Sequence, residues 1–401
     1  MSAILGLWRE RLTGGSGGVG GNGLREAAAR LLPPVVFIGI PLFVLAGLLI
    51  TLSSGHHTFP PFWDFHTFRD AGKDVLNGRS PYPPPDPSVL IHEKSFVYPA
   101  PAAVLMVPFA LLPFTLSAWL FSLVSIASVP ASLRIVGVRD YRCYGVALLS
   151  VPFVNSLGLG AISPMLLVGV ALVWRYRDRA WIAALALAAV VMLKLFLWPL
   201  VLWLAFTRRL RAALLSVLVM AAVTTASWAV LGFSGLRTYS HVLSILTHLV
   251  EGKGYSLVAL GLSLGATSPV ARALPWVVGG VLLVLIAARA RRPGSDALTF
   301  VIAIGAALAF SPIIWLHYFV LLFIPIAIVR PRLSWLWALP LALWVCRGQS
   351  IDGAVWDHIR THSDLALSAR IGSAGLIIFA LSVASAVLLI SAHFASEKAE
   401  Q

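Results

Sequence analysis

The chain has 401 residues, of which 59% are hydrophobic and only 11% charged, and its mean hydropathy is +0.89. About a quarter of the residues of an ordinary soluble domain are charged, so this composition excludes one and indicates a membrane protein with several spans. The formal charge of +14 does not indicate nucleic acid, because the arginines form short clusters between apolar runs, as cytoplasmic loops do.

The chain begins with a segment that has too few apolar residues to fold. Residues 1–30 surround a glycine-rich tract with arginines, and we predict a flexible cytoplasmic tail. The apolar run 31–52 is too long for the core of a signal peptide and predicts a retained first span. The polar loop after it, residues 53–98, is then expected outside the cytoplasm.

Asp64 is the most suggestive residue of this first outer loop. Its neighbours Phe62, Trp63 and Phe65 predict a partly desolvated carboxylate, which suits a general base. Residues 67–77 predict a short helix, so Asp64 has a second interpretation as a helix cap.

Three aromatic residues of the loop, Trp63, Tyr82 and Tyr98, also have two interpretations. Aromatic side chains at a membrane surface usually anchor the chain there, and they also stack on sugar rings.

The loop carries histidines as well. His56, His57 and His66, together with Asp64, match no recognised spacing of metal ligands, so we expect no metal site.

Five later basic clusters should also lie in the cytoplasm, which requires an even number of crossings from each cluster to the next. They are Arg134, Arg139 and Arg142; Arg175, Arg177 and Arg179; Arg208, Arg209 and Arg211; Arg289, Arg291 and Arg292; and Arg330 and Arg332.

The segment between Arg179 and Arg208 satisfies this rule if it forms a hairpin of two short helices that turns near Lys194. Each arm of about 13 residues would span only ~20 Å, so Lys194 would face a cavity open to the outside. An ionisable group at membrane depth is a site hypothesis, although a lysine can also snorkel to the surface. A single tilted span is the alternative to the hairpin.

The whole chain then predicts an all-α polytopic membrane protein with about twelve crossings and both ends in the cytoplasm. We expect one transmembrane domain over residues 31–395, a late outer loop over 347–370 and a cytoplasmic tail over 396–401. The predicted spans are 34–53, 114–134, 143–157, 161–174, 180–193, 195–207, 211–231, 273–290, 297–311, 313–330, 333–346 and 371–394.

This topology brings His317 to the same side as Asp64 and Lys194, in a turn that follows Ser311-Pro312. A histidine at a helix break either contributes to a site or serves packing and capping. The two cysteines, Cys143 and Cys346, fall on opposite sides of the membrane and cannot pair.

Several segments in this order resemble one family. They are Asp64-Phe65, Ala71-Gly72, Gly78-Arg79-Ser80-Pro81-Tyr82, Phe96-Val97-Tyr98-Pro99, Pro108-Phe109-Ala110-Leu111-Leu112-Pro113, Leu193-Lys194-Leu195-Phe196-Leu197-Trp198-Pro199 with Arg208-Arg209-Leu210-Arg211, and Phe310-Ser311-Pro312-Ile313-Ile314-Trp315-Leu316-His317-Tyr318. Together they resemble the bacterial family 87 glycosyltransferases, which belong to the GT-C class and use polyprenol-phosphate sugars. The resemblance extends from about residue 62 to residue 329.

The resemblance implies a GT-C-type bundle in the plasma membrane, with an outer first loop that contains short helices. It implies a polyprenyl-phosphate sugar as donor, most often mannose. The acceptor would be a glycolipid or lipoglycan, such as a phosphatidylinositol mannoside or lipomannan, often mannosylated through an α-1,2 link. No cofactor is expected.

The resemblance also implies roles for individual residues. Asp64 would be the catalytic base of an inverting transfer. The charge that develops on the donor phosphate favours a positioned cation, for which Lys194 is the first candidate and Arg69 and His317 are the alternatives. The other role open to His317 is to hold the phosphate or to orient Asp64. Sugar or acceptor contacts would come from His66, Trp63, Tyr82, Tyr98 and Trp315.

A transporter or flippase of lipid-linked envelope intermediates is the alternative function. The hydropathy, the intramembrane lysine and the paired half-helices suit it. However, we find no internal repeat, and a transporter does not need a large outer loop with a carboxylate among aromatics.

Overall fold

The computed structural model describes residues 31–53, 62–92, 95–252 and 254–341, and every regular element in these ranges is helical. Outside the described residues lie the tail 1–30, His56, His57, Cys346, the predicted loop 347–370, the predicted last span 371–394 and the tail 396–401. The helices are α1 (Ile40–Ser53, preceded by a π-helical turn, Val35–Gly39), α2 (Trp63–Leu76), α3 (Pro87–His92), α4 (Ala100–Leu105), α5 (Val107–Ala110), α6 (Phe114–Ile135), α7 (Tyr141–Leu149), α8 (Val151–Leu159), α9 (Ser163–Arg175), α10 (Ala180–Leu193), α11 (Pro199–Phe206), α12 (Leu210–Val230), α13 (Leu236–Val250), α14 (Leu257–Ser263), α15 (Ser268–Arg289), α16 (Asp296–Phe310) and α17 (Phe323–Val329), with 3-10 turns at Leu195–Leu197, Leu316–Leu322 and Trp335–Ala338.

Four stretches within the described ranges are long and apolar enough to cross a membrane, namely Leu31–Ile50, α6, α12 and α15. Helices α7 and α8, bent by 57° at their junction, make a fifth if they act as one span. Five further apolar stretches have 10–17 residues, so they fall short of the roughly 20 residues that a full crossing needs; they are α9, α10, α16, Leu195–Phe206 and Leu316–Val329. The protein is therefore a polytopic helical membrane protein, and the count of about twelve crossings stays a prediction.

The segment between α9 and α12 returns to the side from which it starts. Arg209, which precedes α12, lies 2.8 Å from Asp178, which precedes α10. Arg209 also lies 2.7 Å from Asp296 at the start of α16. A single tilted span would separate Asp178 from Arg209 by the thickness of the bundle, so these ion pairs agree with the hairpin.

Further contacts join loops that the charge pattern places on one side. Arg177 lies 3.0 Å from Asp296, and the Leu333 N–H donates to the Asp140 carboxylate at 3.0 Å. We call the surface formed by Arg177, Asp178, Arg209 and Asp296 the arginine face.

Helix α2 is fixed at its beginning by the end of α8. The Phe62 N–H donates to the Gly158 carbonyl oxygen at 2.9 Å, and the fully buried Phe65 ring packs against Phe109, Phe114 and Phe121. Gly160 has a φ of +64°, and a Cβ atom there would lie 2.5 Å from the Cβ of Phe65. A glycine is therefore required where the chain passes the first turn of α2.

We expect Gly160→Ala to destabilise the protein by about 1–3 kcal/mol, because the added methyl group displaces α2 and strains the left-handed backbone. Gly158→Ala is the matched control, since a Cβ there meets nothing within 4 Å. The check is the apparent temperature of thermal unfolding in detergent. Equal unfolding temperatures for the two variants would contradict the packing of α2 described above.

Candidate active site

Asp64 lies in the first turn of α2, and its side chain is 19% exposed. The residue at the N-cap position is Phe62, which has a left-handed backbone and makes no side-chain capping bond. Asp64 is therefore not the N-cap residue but lies near the cap, where a carboxylate favours the start of a helix. Its carboxylate also approaches His317, which belongs to a distant part of the chain.

Lys194 lies where the hairpin turns, between the end of α10 and the 3-10 turn Leu195–Leu197. Only 4% of the residue is exposed. Its Nζ atom lies 3.4 Å from the centroid of the Tyr318 ring and 5.7 Å from that of Tyr98. This ammonium makes no hydrogen bond to any residue that the structure describes.

His317 is buried, and its Nε2 atom lies 3.9 Å from an Asp64 carboxylate oxygen. That distance is longer than a hydrogen bond. Within the described part of the chain neither ring nitrogen has a hydrogen-bond partner. The preceding turn is fixed by two bonds, because the Ser311 hydroxyl donates to the Ile313 carbonyl oxygen at 2.6 Å and the Tyr255 N–H donates to that of Ile314 at 2.7 Å.

Asp64, Lys194 and His317 thus form one buried cluster, which we call the Asp64 cluster. Burial raises the pKa of Asp64 to about 6, and the positive charge of Lys194 opposes that rise. Buried polar atoms without partners are rare in native proteins, and a perturbed carboxyl group beside them points to a functional site.

Three predicted contact residues are associated with this cluster. The Tyr98 ring faces Lys194, Trp63 directly precedes Asp64, and Trp315 precedes the 3-10 turn that carries His317. All three residues are partly exposed, as contacts to a sugar or lipid headgroup require.

Tyr82 is instead packed into the protein. Its ring stacks on Trp228 with centroids 5.0 Å apart, and its hydroxyl donates to the Tyr98 carbonyl oxygen at 3.0 Å. The structure thus places Tyr82 where it supports the segment that carries Tyr98. Its predicted contact with sugar stays a prediction.

Arg69 and His66 lie together on Phe114, in a different part of the loop. The His66 ring stacks on Phe114 at 4.2 Å, and the Arg69 guanidinium lies 5.7 Å from the same ring. Arg69 also donates to the Leu112 carbonyl oxygen at 2.6 Å. The contacts of Arg69 thus join it to Leu112 and Phe114, and its predicted phosphate contact stays a prediction.

Sequence reasoning missed Tyr318 as a member of the site. Its position directly after His317 could have indicated it, but no spacing rule connects Tyr318 to Lys194, which is remote in the chain.

The described residues contain no group of three or more His, Cys, Asp or Glu side chains that would hold a metal ion. Since His56 and His57 lie outside these residues, the expectation about metal stays a prediction.

Comparison with known proteins identifies relatives. The model of glycosyltransferase family 87 matches residues 96–312, a range that includes Tyr98 and Lys194 but not Asp64 or His317. The chain is also similar to a polyprenol-phosphate-mannose-dependent alpha-(1-2)-phosphatidylinositol pentamannoside mannosyltransferase of Mycolicibacterium smegmatis, with 26% identity over 280 residues. This similarity covers 63% of the chain and 61% of the relative. No solved structure matches.

The family match covers more than half of the chain, and it includes the hairpin with Lys194 and most of the predicted bundle. The chain belongs to glycosyltransferase family 87.

Proposed function

We propose that this protein is a membrane glycosyltransferase that moves mannose from a polyprenyl-phosphate donor to a glycolipid acceptor. Phosphatidylinositol mannosides and lipomannan are the proposed acceptors, with an α-1,2 link. The observation that carries the proposal is the Asp64 cluster, in which a carboxylate, an ammonium and an imidazole from three distant segments meet in an apolar setting. The family membership and the similarity to the polyprenol-phosphate-mannose-dependent mannosyltransferase support the choice of reaction and donor.

Asp64 acts as the general base. Its carboxylate accepts the proton of an acceptor hydroxyl group while the hydroxyl oxygen forms a bond to the anomeric carbon of the donor. The bond between that carbon and the phosphate oxygen breaks on the opposite face, so the sugar is transferred with inversion. Partial desolvation raises the basicity of the carboxylate, because its ionised form is less stabilised than in water.

Lys194 stabilises the leaving lipid phosphate. The phosphate gains negative charge as its bond to the sugar breaks, and a fixed positive charge in a dry site stabilises that change more than water does. The ammonium makes no hydrogen bond within the described chain, so the N–H groups that do not face the Tyr318 ring are free to bind phosphate oxygens. The Nε2 atom of His317 lies 3.9 Å from an oxygen of the Asp64 carboxylate. From this position His317 contacts either the donor phosphate or the acceptor.

We further propose that the reaction takes place on the extracytoplasmic face of the plasma membrane, with the arginine face in the cytoplasm. Clusters of arginine in short loops set the orientation of helical membrane proteins. The hairpin has both ends on the arginine face and its turn, Lys194, in the Asp64 cluster. The lipid donor and the lipid acceptor both reach such a site from the membrane.

Cysteine labelling in intact cells tests this orientation. The labelled positions are Asp70 and Asp178, because their side chains are 53% and 71% exposed. Asp70→Cys and Asp178→Cys are each made in a protein that also carries Cys143→Ser and Cys346→Ser, so that the introduced cysteine is the one that reacts. We expect a membrane-impermeant maleimide to label Asp70→Cys in intact cells and Asp178→Cys only after permeabilisation. Labelling of both in intact cells, or the reverse pattern, would contradict the orientation.

Substitution of the base tests the reaction. Purified protein in vesicles receives radiolabelled polyprenyl-phosphate mannose and phosphatidylinositol mannoside, and transfer is measured. We expect Asp64→Asn to lower kcat by about 100- to 10,000-fold, the usual contribution of a general base. Asp70→Asn is the control, since Asp70 makes only an exposed ion pair with Lys73 and its loss should change kcat less than about twofold.

The dependence on pH adds a second measurement of the same residue. A carboxyl group accepts a proton only when ionised, so activity should fall as the pH drops below about 6, the raised pKa of Asp64. Undiminished transfer by Asp64→Asn would disprove its role as base. Movement of the labelled lipid across the vesicle membrane without transfer of mannose would favour the transporter alternative.

A further inference from the structure

We propose that Tyr318 is a positioning residue whose ring face holds the Lys194 ammonium at the point where it meets the donor phosphate. This inference rests on the proposed function and extends it to a residue that does not touch the reacting atoms. Tyr318 belongs to the 3-10 turn Leu316–Leu322, directly after His317.

The contact itself is close. The Nζ atom lies 3.4 Å from the centroid of the Tyr318 ring, well inside the ~6 Å limit for attraction between a cation and an aromatic face. Both residues are buried. Attraction of this kind is strongest where water is excluded, so it matters more here than on a surface.

One separate element, the hairpin turn, contacts this ring through two residues. Lys194 approaches it with an extended backbone, at φ −145° and ψ 107°. Phe196, two residues later, stacks on the same ring with centroids 5.2 Å apart and an interplanar angle of 11°. On the turn that carries Tyr318 itself, the adjacent His317 ring meets Tyr318 edge to face at 4.9 Å. Tyr318 therefore fixes the hairpin turn relative to His317.

A ring suits this task better than a carboxylate would. A lysine side chain has large rotational freedom, which must be restricted if the ammonium is to meet a phosphate at one place. A carboxylate would restrict it but would occupy N–H groups and cancel the charge. An aromatic face attracts the ammonium while leaving its N–H groups available for phosphate oxygens.

Fluorine substitution of the ring tests this inference without changing its shape. Tyr318→Phe is prepared first, and then the same phenylalanine with one, two and three ring fluorines, introduced during translation. Each fluorine withdraws electrons from the ring face and weakens its attraction for a cation. We expect Tyr318→Phe to retain transfer within about threefold. The value of kcat/KM for the donor should then fall stepwise to about a tenth across the series.

The matched control places the same fluorinated phenylalanines at position 319, a buried ring on the same turn that meets Tyr255 edge to face at 5.7 Å. In that series kcat/KM for the donor should not change with the number of fluorines. Neither series should change the unfolding temperature or the KM for the acceptor. An unchanged kcat/KM for the donor across the series at position 318, or an equal fall in kcat/KM at both positions, would overturn the inference but would not affect the proposed function. Absence of transfer by the unsubstituted protein would overturn both.

Discussion

Lys194 and Asp64 carry opposite charges in a part of the molecule that is largely shielded from solvent, and this pair constrains the surrounding structure. Removal of a charged group from water costs several kcal/mol unless other charges and hydrogen bonds compensate. The chain compensates in part, since each charge favours the ionised form of the other and the Tyr318 ring faces the ammonium. The Lys194 ammonium keeps N–H groups without a hydrogen-bond partner in the described part of the chain, and the proposed function assigns these to the donor phosphate.

The position of Lys194 depends on how the hairpin is held at its opposite end. Arg209 makes two hydrogen bonds to the Asp296 carboxylate and one to that of Asp178. An isolated ion pair at a surface contributes little, but a two-pronged contact within a network is geometrically specific. The arginine face thus joins the start and the end of the hairpin to α16. Lys194, at the turn between the two short arms, is buried inside the protein.

The main features of this arrangement were predictable from the sequence. Apolar runs and arginine clusters predicted a hairpin that turns at Lys194, and the ion pairs of Arg209 agree with it. The same counting of crossings placed Asp64, Lys194 and His317 on one side, where the structure brings them together. These inferences were possible because membrane insertion depends on hydrophobic length and on charge, which can both be read residue by residue.

Contacts between side chains were less predictable, because composition does not show which ring meets which. The stacking of Tyr82 on Trp228 was not predicted. Tyr318 was not expected to face Lys194 at all. The number of crossings also remains open, since apolar helices of 10–17 residues are too short for their membrane path to follow from length alone.

The proposed reaction depends on a division of roles in which Lys194 holds the lipid phosphate and Asp64 serves as base. Binding of radiolabelled polyprenyl phosphate without sugar, measured on purified protein in detergent, separates the two roles. Lys194→Gln should bind at least about tenfold more weakly than the unsubstituted protein, because a charged hydrogen-bond donor to phosphate is lost. Asp64→Asn should bind equally well or more tightly, because a negative charge near the phosphate is removed. Unchanged binding by Lys194→Gln, or weaker binding by Asp64→Asn, would contradict this division of roles.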